Sequence, residues 1–516
     1  MAEEKKSRLY ALKPLIERWP AVTKPEGHVN FRTKILWTLF CLILYFILTN
    51  IMIYGLKSDV VDLFENYRFI MAGASGSIMH LGIGPIVTAS IILQLFVGAK
   101  IIKLDLQKKE DKAIYQGTQK ILVVVMIIVE AVPQIFGYLQ PNPELVSNVG
   151  MGAANFVIII QLIIGAFLVF FMDELISKWG IGSGISLFIA AGVSQALFTG
   201  LFNWLPINAG ELSLSNPPAG VIPGTYFFST NLDLGDMTSW GYQTMFIGNS
   251  QIGYQNAIVP LIGTIFIFFI VVYAESTRIE LPLSHGKVRG ARGRYPIRLI
   301  YASNIPVILM AALFANINMF ALLLWQSNIP LLGKQWWIGA FPTNELGQIT
   351  ASQPIAGGAW YLSNPGGVNS WLIPIMGGAS DGAHGPHQYA IKIIVYMSIL
   401  IIGSILFAKF WIETTDMGPS AVARQIQSSG MQIPGFRRDP RVLRKVLERY
   451  IPVVTVIGGA AVGALAGFAD MVGTVGNASG TGLLLTVGII IRLYEDIAKE
   501  QAMEMHPVLR GFFGNE

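Results

Sequence analysis

Leu81-Gly82-Ile83-Gly84-Pro85-Ile86-Val87-Thr88 decides the fold of this chain. It opens a membrane-length apolar segment with two glycines, a helix-bending proline and otherwise aliphatic side chains. Lipid offers backbone N–H and C=O groups no water, so an interrupted helix at membrane depth is tolerated only against protein or an aqueous cavity. The stretch therefore reads as the lining of a passage whose closure is apolar, where an ion pump would place charges. Just before it, Asp62 to Ser77 is short and weakly amphipathic, far below the ~20 apolar residues that span a bilayer. It reads as a piece folded into the mouth of the passage.

Working outward, 53% of the 516 residues are hydrophobic and only 13% charged, with a mean hydropathy of +0.55. Those values describe a polytopic membrane protein and exclude a soluble enzyme. The single cysteine, Cys41, lies in the first apolar run, which excludes an internal disulfide and a cysteine-built metal site. The first thirty residues are polar and lack a continuous apolar core, so no cleavable signal is predicted. Leu9, Leu12, Leu15, Ile16 and Trp19 instead suggest an amphipathic helix on the membrane surface.

Ten apolar runs follow, near 34–54, 79–98, 120–140, 151–172, 182–202, 256–276, 298–324, 389–411, 451–471 and 480–497. With the N-terminus inside, 32 of the 36 lysines and arginines fall on the inner side, which predicts both termini in the cytoplasm. The expected organisation is a cytoplasmic amphipathic segment 1–33, a first half 34–202, an expanded outer loop 203–255, a second half 256–497 and a cytoplasmic tail 498–516. The long outer loops 203–255 and 325–388 are rich in Gly, Pro, Asn, Ser and Trp and read as caps. His384 and His387 in the second of them lack a third metal ligand. Two sets of five helices are suggested by an echo: Ile83-Gly84-Pro85-Ile86-Val87 against Ile305-Pro306-Val307-Ile308, each in the second helix of its half.

Polar residues inside the membrane are costly and informative. Glu130 sits in the middle of the third run with no basic residue beside it, and Thr88 and Asn316 lie in the two proline-bearing helices. A polar cluster among spans two, three and seven is therefore expected. Gly73-Ala74-Ser75-Gly76 matches the nucleophile pattern of intramembrane serine proteases, but no histidine lies in a later span to act as base. No phosphate-binding loop is present, so energy must come from a partner or gradient. No covalent chemistry and no cofactor are expected.

Two inner loops carry glycine-flanked cations, Lys287-Val-Arg289-Gly-Ala-Arg292-Gly-Arg294 and Gly435-Phe436-Arg437-Arg438. On turn-rich scaffolds these suit a phosphate-bearing or acidic surface.

Taken with LGIGPIVT (81–88), IGSGIS (181–186), VVYAEST (271–277), KVRG (287–290), YPIRLIYASNIPVIL (295–309), GFRR (435–438) and TGLLLT (481–486), the chain resembles the SecY family of the Sec protein translocon, in its archaeal and eukaryotic branch. The resemblance runs nearly the whole length. It implies an all-α membrane protein, with ten transmembrane helices in two inverted pseudo-repeat halves forming an hourglass channel with a plug helix. The channel passes unfolded secretory polypeptides and releases transmembrane segments sideways into lipid.

Carried over by motif, the pore ring falls on Ile83, Val87, Ile181, Ile185, Ile308 and Leu485. The plug, about 64–75, takes in Phe64, Phe69, Ile70, Met71, Ala72, Gly73, Ala74 and Ser75. The lateral-gate polar cluster falls on Thr88, Glu130 and Asn316, with opening expected to depend on protonation of Glu130. Ribosome docking falls on Lys287, Arg289, Arg437 and Arg438. The implied partners are SecE-like and Sec-beta-like small membrane subunits, the translating ribosome, signal sequences and nascent polypeptides, and the lipid bilayer of the plasma membrane. A secondary transporter of a small solute is the competing class. It requires a hydrated polar site at mid-membrane, where this sequence offers six aliphatics and one acid.

Overall fold

The computed structural model describes residues 8–27, 29–57, 71–99, 101–104, 106, 108–137, 139–208, 210–231, 241–248, 254, 256–285, 292–298, 304–327, 333–343, 353–376, 384–415, 417–428, 431–432 and 440–505. Ten long helices stand where the ten apolar runs lie. They are α1 (Phe31–Asn50), α2 (Gly84–Gly98), α3 (Lys109–Gly137), α4 (Met151–Trp179) and α5 (Gly184–Phe202), then α6 (Ile258–Ser276), α7 (Ile305–Gln326), α8 (Pro386–Thr414), α9 (Pro440–Val472) and α10 (Gly480–Met505). Among the described residues, eight of these are long and apolar enough to cross a membrane.

The other two differ for reasons visible in the chain. α2 has 15 residues, about 22 Å of rise against a hydrocarbon thickness of ~30 Å, so it crosses only part of the bilayer. The expected bend at Pro85 is instead a start. Pro85 occupies the first turn of α2, where its missing N–H removes one of the unpaired donors of a helix start. Pro306 does the same for α7, and the residues before the two helices, Ile83 (φ −87°, ψ 0°) and Asn304 (φ −82°, ψ −2°), share one backbone conformation. The sequence echo is thus an echo of helix-start geometry. α10 is apolar over Gly480–Ile491 and then turns polar at Arg492, Glu495 and Asp496, so its second half leaves the membrane.

Each set of five packs internally, with α1, α2, α3, α4 and α5 joined through α2–α3, α3–α4, α1–α4 and α4–α5 and the second set through α7–α8, α8–α9, α9–α10 and α6–α10. The halves meet along two seams, α5 against α10 on one side and α2 against α7 and α8 on the other. One hydrophobic core runs through both halves. The close α8–α9 contact explains the glycines of α9. A Cβ at Gly459 or Gly463 would lie 3.0–3.1 Å from backbone or side-chain atoms of Ser404, Ile405, Ala408, Leu400 and Ile401, and Gly467 faces Met397. Small residues let two backbones approach within the membrane, and α8 is the neighbour they serve.

Three features lie outside the membrane helices. The loop after α6 is a β-hairpin, β1 (Arg278–His285) with β2 (Arg292–Arg298), where turns alone were expected. β3 (Met431–Gln432), from the loop after α8, adds to β1 through Ser284↔Gln432 and His285↔Met431. The hairpin is anchored to α10, since Arg278 (3.3 Å) and Arg298 both pair with Glu495. Residues near the N-terminus form a short 3-10 turn and the helix Lys13–Glu17, and make contacts with α3 and α4. Tyr10 donates to Asp111, Ile16 fills the space over Gly117, and Val22 N–H donates to Glu174 at 3.2 Å. In the second outer loop both ring nitrogens of His384 are engaged, with Gln388 Oε1 (3.0 Å) and Ile355 O (2.7 Å), and its ring lies on Trp360.

Gly463→Leu is expected to force α8 and α9 apart at a cost of about 1–3 kcal/mol, the usual penalty of overpacking. Thermal unfolding in detergent should show a lowered midpoint; an unchanged midpoint would contradict the close packing described.

Candidate functional site

The site is built from helix beginnings. α2, α5, α7 and α10 each contribute aliphatic residues from their first two turns: Ile83 and Val87 at the start of α2, Ile185 in α5, Ile308 in α7 and Leu485 in α10. Ile83, Val87, Ile308 and Leu485 are buried in the core cluster that runs through both halves, and half-buried Ile185 packs against it. Aliphatic side chains from both halves thus belong to one hydrophobic core.

Ile181 stands apart. It precedes Ser183, the residue before α5, and its N–H donates to the Thr38 hydroxyl of α1 at 3.0 Å. It is buried, but outside the cluster that holds the others. Inside α5 the spacing of four residues continues upward from Ile185 to Ile189, which is fully buried in that cluster. The sequence motif carries Ile181 and Ile185; Ile189 lies beyond it and was not among the expected ring residues, and the helix start at Gly184 sets Ile181 outside α5.

Five of the eight plug residues, Met71 to Ser75, are described; Phe64, Phe69 and Ile70 lie outside the described residues. Met71–Ser77 form turns, with buried Ala72 in the left-handed region (φ +50°). The Ile83 N–H donates to Met71 O at 2.7 Å, so the end of this segment is bonded to the residue that opens α2. Gly82 (φ +54°) makes this possible, because a Cβ there would collide with Met71 O and the backbone of Ala72 and Gly73. His80, near the protease-like serine, accepts from Gly76 N–H at 3.0 Å through Nδ1.

Thr88, Glu130 and Asn316 are brought together. Asn316 Nδ2 donates to Thr88 Oγ1 at 3.0 Å across the α2–α7 seam, and also to Ala312 O at 2.9 Å in its own helix. The Thr88 hydroxyl donates back to Gly84 O at 2.9 Å. Glu130 comes from α3 with only 6% exposure, its carboxylate against Thr88 and the Gly84 backbone, and Oε1 has no hydrogen-bond partner. Farther along, Gln119 donates to Ser90 at 2.7 Å between α3 and α2, a contact the sequence gave no sign of. The seam thus carries a polar bridge, Asn316 to Thr88, worth roughly 0.5–1.5 kcal/mol net.

Lys287, Arg289, Arg437 and Arg438 lie outside the described residues. What is described is the sheet that joins their two loops, which sequence inspection missed because β3 is only two residues long. Among the described residues no group of three His, Cys, Asp or Glu side chains is placed to hold a metal ion.

Comparison with known proteins meets this geometry over almost the whole chain. The SecY family pattern matches residues 77–494, and that of the plug domain of Sec61p matches residues 43–76. The protein translocase subunit SecY of Archaeoglobus fulgidus is 46% identical over 517 residues, covering 99% of each chain. A solved structure of a protein conducting channel superposes with a TM-score of 0.75 at 38% identity, covering 96% of this chain and 98% of the other. Sec61 in the canine ribosome-channel complex from the endoplasmic reticulum gives 0.72 at 38% identity over the same shares.

With Cys41 replaced by alanine, Thr88→Cys combined with Asn316→Cys is expected to oxidise to an intramolecular disulfide in isolated membranes, because the two side chains already touch. Absence of the crosslink, read as an unchanged gel mobility, would separate α2 from α7.

Proposed function

The chain belongs to the SecY family and is a protein-conducting channel of the membrane, not an enzyme, and we propose that its seal is a ring of Ile83, Val87, Ile185, Ile189, Ile308 and Leu485. The observation that carries this reading is that aliphatic residues near the starts of four helices, two from each half, belong to or pack against one hydrophobic core. Such a constriction stops ions because it offers nothing in place of their hydration shells, while flexible branched side chains move aside for an extended polypeptide. A carrier would need a hydrated site at that depth.

The segment ending at Met71–Ser75 is the plug. Its bond to Ile83 supports a resting position directly on the ring, and the small Ala72, Gly73 and Ala74 let it pack there and leave. The α2–α7 seam is the lateral gate through which apolar segments pass into lipid. One hydrogen bond across it is weak enough for an inserting helix to displace. Glu130, with an unpartnered buried oxygen, makes the gate sensitive to protonation.

The ribosome is the expected driver, contacted through Lys287, Arg289, Arg437 and Arg438. Joining of the two loops into one sheet supports their acting as a single docking surface. SecE-like and Sec-beta-like subunits clamp the halves from outside. The plasma membrane is the location, with both termini in the cytoplasm, as the distribution of basic residues indicates. Nascent chains and signal sequences are the cargo.

Ile83→Gly with Ile185→Gly is expected to raise the resting ion conductance of the reconstituted channel while translocation continues; a sealed double variant would refute the ring. Insertion of marginally apolar segments should vary with pH in the native channel and lose that variation in Glu130→Gln. Parallel pH profiles would remove Glu130 from the gating role.

A further inference from the structure

Asp173 and Asp470 belong to neither ring nor gate, yet they occupy matching places in the two halves. Each lies near the end of a fourth helix, α4 or α9, and each reaches the start of the fifth, α5 or α10. In both cases a Ser-Gly pair opens that fifth helix, Ser183-Gly184 and Ser479-Gly480.

The first N–H groups of a helix have no partner within it. Ser183, in the capping position of α5, makes no side-chain cap. The acceptor comes from the neighbouring helix instead: Asp173 Oδ1 takes the Ile185 N–H at 2.9 Å. At α10, Asp470 Oδ1 takes the Thr481 N–H at 3.0 Å, while Oδ2 takes the Thr481 hydroxyl at 2.6 Å and the Tyr396 hydroxyl of α8 at 2.8 Å. A carboxylate at a helix N-terminus also meets the positive end of the helix dipole, and bonds to an ionised acceptor are the strong ones.

Both junctions leave no slack. A Cβ at Gly184 would lie 2.6 Å from Asp173 Cα, and one at Gly480 would strike the backbone of Ala469. The fifth helix of each half therefore begins in backbone contact with the fourth, pinned by its acid. The residue pinned in α5 is Ile185 itself. In α10 it is Thr481, one turn before Leu485 on the same face.

We propose that Asp173 and Asp470 are paired positioning residues that fix where α5 and α10 begin, and so hold Ile185 and Leu485 in register within the closed ring. The proposal rests on the reading of Ile185 and Leu485 as ring members. Five helices separate the two junctions, which places them on opposite membrane faces, so the ring is fixed from both sides by one device used twice.

The test is the resting ion conductance of the complete reconstituted channel, with translocation rate measured alongside. Asp173→Ala and Asp470→Ala are each expected to raise resting conductance several-fold while translocation is retained, an outcome that general loss of stability would not produce. Ile185→Gly and Leu485→Gly serve as references. If these leak and the alanine variants remain sealed, the positioning role is overturned and the ring stands. If the glycine variants are themselves sealed, the ring reading fails and the proposal falls with it. Should the alanine variants not accumulate in the membrane, the asparagine and leucine variants decide. Asp173→Asn keeps an acceptor for the Ile185 N–H and should stay sealed. Asp470→Asn keeps one for the Thr481 N–H, its amide donating to the two hydroxyl oxygens, and should stay sealed as well, whereas Asp173→Leu and Asp470→Leu offer no acceptor and should leak. Equal conductance in the asparagine and leucine variants would overturn the proposal.

Discussion

A helix that begins inside a membrane leaves N–H groups with no water to receive them, and the whole interior of this channel is arranged around that constraint. The four helices that carry the proposed ring dispose of their donors in two ways, by proline or by a borrowed acid. α2 starts with Pro85, which has no N–H, and Ile83 ahead of it donates to Met71 O. α7 starts with Pro306. α5 borrows Asp173 from α4, and α10 borrows Asp470 from α9 while Ser479 accepts from Gly482 N–H at 3.0 Å. Because the donors are satisfied locally, the side chains that face one another can be purely aliphatic. A dry closure is possible only where the polar demands of the backbone have been met elsewhere.

The two seams between the halves differ in kind. The α5–α10 side is extended by the turn Val475–Asn477, where Gly200 and Gly476 meet backbone to backbone. The α2–α7 side carries apolar contacts and a hydrogen bond between the two helices, Asn316 to Thr88. An hourglass built this way has a tight back and a front that parts at modest cost. The sheet of β1, β2 and β3 is tied through Glu495 to α10, the helix that bears Leu485.

Much of this was legible in the sequence because membrane burial leaves a coarse and strong signature. Ten apolar runs, the inner excess of Lys and Arg, and the lone acid at Glu130 are each set by the cost of placing polar groups in lipid, a cost that acts on residues one at a time. The repeat of Pro85 and Pro306 was visible for the same reason, since proline is restricted by its own covalent geometry. The glycines of α9 announced a close neighbour without naming it.

What remained hidden depends on where elements begin and on which distant atoms meet. The motif Ile181-Gly-Ser-Gly-Ile185 has isoleucines four apart, as does Ile185 to Ile189, and only the start of α5 at Gly184 removes Ile181 from the helix. Asp173 and Asp470 looked like residues at span ends, because their partners lie in the following helix, 12 and 11 residues on. The two-residue strand β3 has no pattern of its own and exists by pairing with β1. The amino-acid sequence by itself determined that this chain lies in a membrane, how many times it crosses and which residues are apolar at the crossing. The tertiary structure alone decided the register of the constriction, since register is a relation between helix ends that packing and hydrogen bonding fix in space and no single segment encodes.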